Sequence, residues 1–271
     1  LVTAVLDPIL IFGLDMGLFG AATTIVVARG AMMVVGWRGA SGFHDMIRRP
    51  THTEVIADLR PFMVVAGPAI LTNLASPAAT SFALSIFSRF GDGAVGALVM
   101  SDRVFALCYA AIFALSGSVG AILAQNLGAR RIDRLRETMR VCLTLSSVYC
   151  VAMWVALHFA APYLARLFDA PEESHDLFVT FLFWGSASWL MMGWLFVANA
   201  SFNNLGFPLL STAFNWGRAS LGVIPFVSLG ATWDGARGAA IGMAGGSALF
   251  GLAALAATRV VLNRIERRAA G

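Results

Sequence analysis

Long apolar stretches are the feature that most constrains how this chain can fold. A helix needs about 20 apolar residues to cross a bilayer; seven stretches reach that length, and an eighth, at the N-terminus, is shorter. Only 13% of the 271 residues are charged, whereas an average soluble domain has about 25%. The sequence therefore predicts an all-α, polytopic membrane helical bundle. The eight stretches are residues 1–14, 18–37, 61–87, 94–122, 141–165, 178–202, 207–230 and 238–262.

The arginines predict the orientation of these helices. The connections at 38–60 and 126–140 and the C-terminal segment carry most of the arginines outside the apolar stretches, whereas the intervening connections hold Arg89, Arg166 and Arg237. Because basic residues concentrate in cytoplasmic loops, we expect the arginine-rich connections and the C-terminus to be cytoplasmic, in a bacterial-type inner membrane. This distribution explains the net charge of +4, and nucleic acid is not an expected partner.

Cysteines and histidines give no sign of metal or redox chemistry. Cys108, Cys142 and Cys150 lie inside apolar stretches without the spacing of a metal-binding or CxxC motif, which favours buried free thiols. The four histidines are scattered along the chain and form no HExxH or Ser/His pattern. We therefore expect no catalytic residues, no metal and no cofactor. An intramembrane enzyme is the alternative that the sequence supports least.

Two features predict how the chain is divided. Its longest hydrophilic passage, centred on residues 41–57, is typical of a cytoplasmic linker. An acidic residue, a glycine and then a Gly-Ala-Ala triplet open a helix at Gly20 and again at Gly238, as in parallel repeats of secondary transporters; close helix packing is the alternative explanation. If the triplets are equivalent, residues 1–40 are the last two helices of a truncated N-terminal lobe, and residues 58–271 form a six-helix C-terminal lobe.

Five motifs stand in order along nearly the whole chain. They are "LDPILIFGLDMGLFGAATTIV", "GPAILTNLASP", "FGDGAVGALVMSDRV", "ALSGSVGAILAQNLGARRIDRLRETM" and "ASFNNLGFPLLSTAFNWGRASLGVIPF". Together they resemble the multidrug and toxic compound extrusion (MATE) family, and "AQNLGARRIDRLR" is similar to the family's Gln-Asn-x-Gly-Ala turn with the basic helix that follows it. The resemblance implies that the chain contains helices five to twelve of a twelve-helix, two-lobe transporter.

The resemblance also implies a function. Members of this family are cation-coupled antiporters that export amphipathic organic compounds, often cations and drugs, by alternating access. A lipid-linked oligosaccharide flippase of the same superfamily is the alternative, and we expect it to place more cations in its membrane cavity than Arg29, Arg103 and Arg218. The expected partners are a small organic compound and membrane lipid, with the full-length transporter acting as a monomer.

Asp7 is the residue that both the resemblance and physical chemistry single out. In DinF-like members an Asn-x-x-x-Asp-Pro pattern supplies a coupling carboxylate; Asp7 and Pro8 match this pattern, and Thr3 stands in place of the Asn. Ionisable residues inside the membrane are costly and by default functional. We expect Asp7 and Thr3 to form a cation-coupling site. The coupling ion expected is H⁺ rather than Na⁺, because 61–87 and 178–202 lack the acidic residues of sodium-coupled relatives.

Polar, aromatic and sulfur-containing residues of the remaining helices are candidates for a substrate cavity. Trp and Met faces suit flat hydrophobic cations. Asp102 and Arg103 are adjacent and therefore about 100° apart on a helix, so each needs another partner. The candidates by chemistry are Arg218, Asn199, Asn203 and Asn215. A polar network that only locks helices together is the alternative explanation. The predicted cavity residues are Asn73, Ser76, Asp102, Arg103, Trp189, Met192 and Asn199.

Overall fold

The computed structural model describes residues 2–43, 50–168 and 171–270. The predicted all-α fold is confirmed, because these residues are helical almost throughout and contain no strand. The chain divides into two compact units, Leu1–Phe62 and Met63–Gly271. Part of the predicted linker lies outside the described residues.

Ten α-helices, several of them extended by π-helical turns, make up the described parts of the chain. They are α1 (Val2–Asp7), α2 (Gly17–Arg38), α3 (His52–Phe87), α4 (Asp92–Cys108), α5 (Ala110–Gly128), α6 (Ile132–Leu167), α7 (Glu172–Thr180), α8 (Ser186–Asn204), α9 (Pro208–Gly217) and α10 (Ile224–Ala270). In the first unit π-helical turns extend α1 over Pro8–Gly13 and α2 over Gly39–Phe43. In the second unit they join α7 to α8 over Phe181–Gly185, and α9 to α10 over Arg218–Val223.

The apolar stretches predicted from the sequence correspond to these helices with one clear difference. Segment 94–122 is not a single helix, because α4 and α5 are separated at Tyr109, where φ is −104° and ψ is 13°. Segments 207–230 and 238–262 are separated as predicted, by the non-helical Asp234 and Gly235 within α10. By length and composition, the stretches of the described chain that could cross a membrane are Gly17–Gly42, Ile70–Phe90, Ala110–Gly128, Ile132–Leu167, Glu172–Asn204 and Pro208–Arg267.

One end of the second unit brings the start of α6 to the C-terminal part of α10. The Arg136 guanidinium donates to the Glu266 carboxylate at 2.7 Å and to the Asn263 side-chain oxygen at 3.2 Å. These contacts join the arginine-rich connection at 126–140 to the C-terminal segment. Both were predicted to lie on the same side of the membrane.

The other end of α6 leads to a second group of connections. There, an open cavity is lined by Phe90, Glu173 and Arg237, which belong to three different connections. α6 has 36 residues and, at 1.5 Å per residue, separates the two groups by about 50 Å. The connections that the arginines place on opposite sides of the membrane therefore lie at opposite ends of this helix.

A stripe of alanines packs α3 into the second unit. Ala75, Ala79 and Ala83 are buried, and Ile86 and Phe87 continue the same buried region toward the end of the helix. Residues four apart share one face of a helix, and small side chains let helix backbones approach closely. This face of α3 therefore lies against the second unit, with Ser76 and Thr80 at its edge, three residues before Ala79 and Ala83.

The second half of α10 packs with its backbone directly against the first half of α10 and against the π-helical turns that precede α10. At each contact, an added Cβ on the glycine of the second half would overlap a carbonyl oxygen of the first half. The contacting residues recur every four positions along each of the two helices. The turn that connects the helices is at Asp234 and Gly235, where Gly235 has φ +55°. The contact pairs are Gly222 with Gly246, Phe226 with Gly242, and Gly230 with Gly238.

The two Gly-Ala-Ala triplets have similar local surroundings. Gly20 is buried, and an added Cβ would lie 2.8 Å from the carbonyl oxygen of Leu10 in the preceding helix. Gly238 contacts its own preceding helix in the same way. Each triplet follows a turn that contains a residue with positive φ, Asp15 in the first unit and Gly235 in the second. Close helix packing is thus present at both triplets, and their equivalence in two copies of one repeat stays a prediction.

We expect Gly246→Ala to destabilise the second unit, because the methyl group would overlap the Gly222 carbonyl oxygen and force the helices apart. Overpacking of this kind costs about 1–3 kcal/mol. Gly245→Ala is the matched control, since nothing lies within 4 Å of a Cβ at Gly245, and alanine there should be neutral or stabilising by up to about 1 kcal/mol. Thermal unfolding followed with a thiol-reactive dye, which reports exposure of Cys142 and Cys150, measures both. Equal melting temperatures would contradict the expectation.

Candidate functional site

Two adjoining cavities lie inside the second unit, between α3, α4, α8 and α10. Their volumes are about 280 and 370 Å³, and small-molecule sites occupy about 300–1,000 Å³. The two cavities have half of their lining residues in common, so we treat them as one site, the second-unit cavity. The shared lining residues are Asp102, Phe113, Trp189, Met192, Arg218, Met243 and Ser247.

Arg218 is the positively charged residue that lines the second-unit cavity. It is the first residue of the π-helical turns Arg218–Val223. Its Nη2 donates to the Ser76 hydroxyl at 3.1 Å, and its Nε is buried with no hydrogen-bond partner in the described structure. No acidic side chain in that same part of the chain forms a salt bridge with it. The cavity thus holds a buried positive charge that the described residues do not compensate.

Hydrogen bonds from α3 hold Arg218 and the helix before it in place. Hydrogen bonds join successive turns of α3 to α9 and to the π-helical turns after it. They connect the Thr72 and Thr212 hydroxyls at 2.8 Å, the Trp216 indole N–H and the Leu71 carbonyl at 2.8 Å, and Arg218 and Ser76 as described. Because Ser76 lies about one turn after Leu71 and Thr72, the guanidinium continues this row of contacts into the cavity.

An aromatic cluster centred on Trp189 forms one wall. The Tyr109 ring stacks on the Trp189 ring at 4.4 Å with an interplanar angle of 2°, and the Phe113 ring meets it edge-on at 5.9 Å. Phe105 and Phe196 lie 6.3 and 6.1 Å from it between ring centroids. Such rings give a large apolar surface of defined geometry. The wall suits a ligand with a planar, apolar body.

The break between α4 and α5 positions this wall. The Ile112 N–H bonds the Tyr109 carbonyl instead of the Cys108 carbonyl, and the Tyr149 hydroxyl donates to the Cys108 carbonyl at 2.5 Å. The Tyr109 hydroxyl donates to the Ser186 carbonyl at 3.3 Å, just after the π-helical turns that precede α8. Two tyrosines therefore bond carbonyls at irregular helix junctions and hold the Tyr109 ring against Trp189.

The predicted cavity residues fall into two groups. Those that line the second-unit cavity are Ser76, Asp102, Trp189 and Met192. Those that do not line it are Asn73, Arg103 and Asn199. The absence of Arg103 from the lining agrees with its position about 100° from Asp102 around α4. Asn199 has a buried side-chain oxygen with no hydrogen-bond partner among the described residues.

The structure adds lining residues that the sequence analysis did not assign to the cavity. Arg218 was one of four candidate partners for Asp102 and Arg103, and it does not form a salt bridge with Asp102. Phe113, Met243 and Ser247 were not singled out. The available signal for Arg218 was a charge inside an apolar stretch, whereas an apolar or hydroxyl side chain in such a stretch carries no comparable signal.

Asp7 and Thr3 lie on α1 of the first unit, four residues apart and therefore on one helix face. Asp7 is half-buried and is the last residue before the π-helical turns that begin at Pro8. Proline lacks the N–H of a regular turn, and wider backbone hydrogen bonds follow, such as that from the Leu14 N–H to the Ile9 carbonyl at 2.9 Å. Thr3 lines a groove of the first unit, whereas Asp7 does not.

The thiols and other potential ligands do not form a metal centre in the described residues. No group of three or more His, Cys, Asp or Glu side chains there is placed to hold an ion. Cys142 and Cys150 are buried free thiols, and Cys108 is a half-buried one. The Cys150 thiol donates to the Trp189 carbonyl at 3.3 Å, so its observed contact is structural.

Comparisons with known proteins give a family and a fold. The model of the MatE family matches residues 68–227. A protein of Shewanella oneidensis named FAD transporter is 25% identical over 264 residues, which cover 93% of this chain and 57% of that protein. A probable multidrug resistance protein NorM of Mesorhizobium japonicum is 27% identical over 192 residues, covering 58% of this chain and 40% of its own length.

A solved structure shows the same fold. The crystal structure of a mutant of the MATE transporter VcmN from Vibrio cholerae superposes with a TM-score of 0.85 at 24% identity. The match covers 97% of this chain and 60% of the VcmN chain. The present chain therefore spans less than two thirds of the length of these relatives.

We expect Tyr149→Phe to lower the stability of the second unit by about 1–3 kcal/mol, because the Cys108 carbonyl would be left without its hydrogen-bond donor. Tyr163→Phe is the matched control on the same helix, since the Tyr163 side chain is 72% exposed. The melting temperatures of the two purified variants measure the effect. A Tyr149→Phe protein as stable as the control would show that the hydroxyl does not hold the α4–α5 break.

Proposed function

This chain belongs to the MatE family, and from that membership we propose that it is part of a cation-coupled antiporter that exports amphipathic organic compounds. The family and its named relatives are transporters, so the intramembrane enzyme alternative is excluded. The chain is a multi-pass membrane protein. The observation that carries the proposal is the second-unit cavity, where an aromatic wall faces charged side chains.

The cavity residues suit an amphipathic cargo. Its apolar body would contact Trp189, Phe113 and Met192, and its polar groups would bind Asp102 or Arg218. Aromatic and thioether surfaces adapt to many planar ligands, while a few polar groups set orientation. The names of the two relatives, an FAD transporter and a multidrug resistance protein, are consistent with organic cargo of this kind.

Asp7 is our proposed coupling residue, with H⁺ as the coupling ion. A carboxylate can take up a proton on one side of the membrane and release it on the other, and an amide cannot. Its place beside the π-helical turns supports this role, because such turns often occur at functional sites. Thr3, one turn earlier on the same face, would supply a hydroxyl to the site.

The arrangement in the membrane follows from the same proposal. Residues 1–40 would be the last two helices of the N-terminal lobe, 41–57 a cytoplasmic linker, and 58–271 the six-helix C-terminal lobe of a protein that works as a monomer. The loops at 38–60 and 126–140 and the C-terminus would face the cytoplasm of a bacterial cell. The contact of Arg136 with Glu266 supports placing the last two on one side.

The flippase alternative has less support. Of the three arginines considered for a cationic cavity, Arg218 lines the second-unit cavity, Arg29 lines a groove of the first unit, and Arg103 lines neither. In the described residues the second-unit cavity thus contains one of the three, whereas we expected a flippase to place more cations than these in its cavity. Drug accumulation in cells and lipid flipping in proteoliposomes, measured side by side, separate the two functions.

Asp7→Asn should abolish cation-driven efflux, since an amide cannot take up and release the coupling proton. The variant is made in the full-length gene product, and efflux of a fluorescent drug is measured in membrane vesicles. Asp15→Asn is the control, because Asp15 lies in the turn after α1 and asparagine tolerates its φ of 50°. Wild-type efflux by a well-expressed Asp7→Asn protein would contradict the coupling role.

Imposed gradients test the coupling ion separately. In proteoliposomes containing the full-length gene product, we expect efflux to follow a pH gradient and to be insensitive to a sodium gradient, because no acidic residue was found in 61–87 or 178–202. Efflux that follows only the sodium gradient would overturn proton coupling while leaving antiport itself in place.

A further inference from the structure

We propose that the second-unit cavity binds the anionic group of an aromatic substrate at Arg218. The substrate class is a planar aromatic compound that carries a carboxylate or phosphate. This inference rests on the proposed function, because the occupant of the cavity is taken to be the transported compound. It adds the charge of the cargo and the residue that recognises it.

The positive charge of Arg218 requires a counter-ion. An arginine has five N–H donors and remains charged in proteins, and one observed contact, from Nη2 to Ser76, involves a neutral hydroxyl. The buried Nε has no partner among the described residues. A buried cation without a counter-ion is strongly unfavourable, and a carboxylate or phosphate matches the fork of guanidinium donors. A bound anion would therefore satisfy a group that the described residues leave unsatisfied.

Asp102 fixes the orientation of the ligand in the cavity. Its carboxylate lines the same cavity, yet it forms no salt bridge with Arg218 in the described structure. A cavity with two separated charges of opposite sign favours one orientation of a polar ligand. The anionic group is attracted to Arg218 and repelled by Asp102, so the hydrogen-bond donors of the ligand point toward Asp102.

The aromatic wall selects the body of the substrate. Trp189 and Phe113 line both parts of the cavity, and their rings meet edge-on at 5.9 Å, which leaves an angled apolar surface. Met192 lies on the same wall, about one turn after Trp189 on α8. An alkyl phosphate would satisfy Arg218 without using this surface. An aromatic anion satisfies both features at once.

The test compares two ligands that differ by one phosphate, FMN and riboflavin. Both present the same ring system to Trp189, and only FMN presents a phosphate to Arg218. Binding to the purified full-length gene product in nanodiscs, without any gradient, is followed by quenching of flavin fluorescence. We expect FMN to bind about tenfold or more tightly than riboflavin, as for a hydrogen-bonded charged pair.

Substitutions test which residues cause the difference in affinity between FMN and riboflavin. Arg218→Gln should make the FMN and riboflavin affinities equal, and Arg218→Lys should retain part of the difference because the charge remains. Arg103→Gln removes the same charge at a position outside the cavity lining and should retain the full difference. Trp189→Leu should weaken both ligands by a similar factor and leave their ratio unchanged.

Several outcomes would overturn the proposal. These are equal wild-type affinities for the two flavins, absence of FMN binding at about 1 mM, and an unchanged FMN preference in Arg218→Gln. Tighter binding of geranyl phosphate than of FMN would also overturn it and would assign the site to a lipid phosphate. Because binding is measured without a gradient, failure here leaves the Asp7 test unaffected, and loss of coupled efflux leaves this measurement unaffected.

Discussion

The requirement to satisfy every backbone polar group within the membrane governs this structure. Inside hydrocarbon an unpaired N–H or carbonyl costs several kcal/mol, so each helix interruption needs its own hydrogen-bond partner. At Tyr109 the partner of the freed Cys108 carbonyl is the Tyr149 hydroxyl. At Pro8 and Arg218 the backbone adopts wider, π-helical turns. The candidate functional residues Asp7, Trp189 and Arg218 all adjoin or contact such interruptions.

Much of the fold could be predicted from the sequence because membrane helices are encoded locally. Length and apolar composition were enough for the all-α bundle and for the separation of its last two segments at Asp234. The break at Tyr109 could not be predicted, since "ALCYAAIF" contains neither proline nor glycine. The group that bonds the carbonyl freed at this break is the Tyr149 hydroxyl, which is distant in sequence and becomes a neighbour only in the folded bundle.

The candidate site was predictable to the extent that its residues are unusual in apolar surroundings. Asp102 and Trp189 attracted attention by charge and by size, and both line the second-unit cavity. Arg218 also attracted attention, but its contact with Ser76 depends on how α3 and α9 pack. Phe113 and Ser247 are ordinary residues of apolar helices, so only the three-dimensional arrangement distinguishes them. For Asp7 and Thr3 the sequence pattern remains the main argument.

The glycine contacts of α10 restrict how the helices that line the cavity can move apart. Between Gly222 and Gly246 the backbones touch with no side chain between them, so this hairpin has no rotamers through which its separation can change. Met243 and Ser247 project from this hairpin, and Trp189 and Met192 lie on α8 beside a second contact of the same kind, where a Cβ at Gly251 would overlap the Met191 carbonyl oxygen. If the cavity holds the cargo, as we propose, differences in cargo shape would be accommodated by rotamers of Trp189 and Met192 and not by separation of the helices.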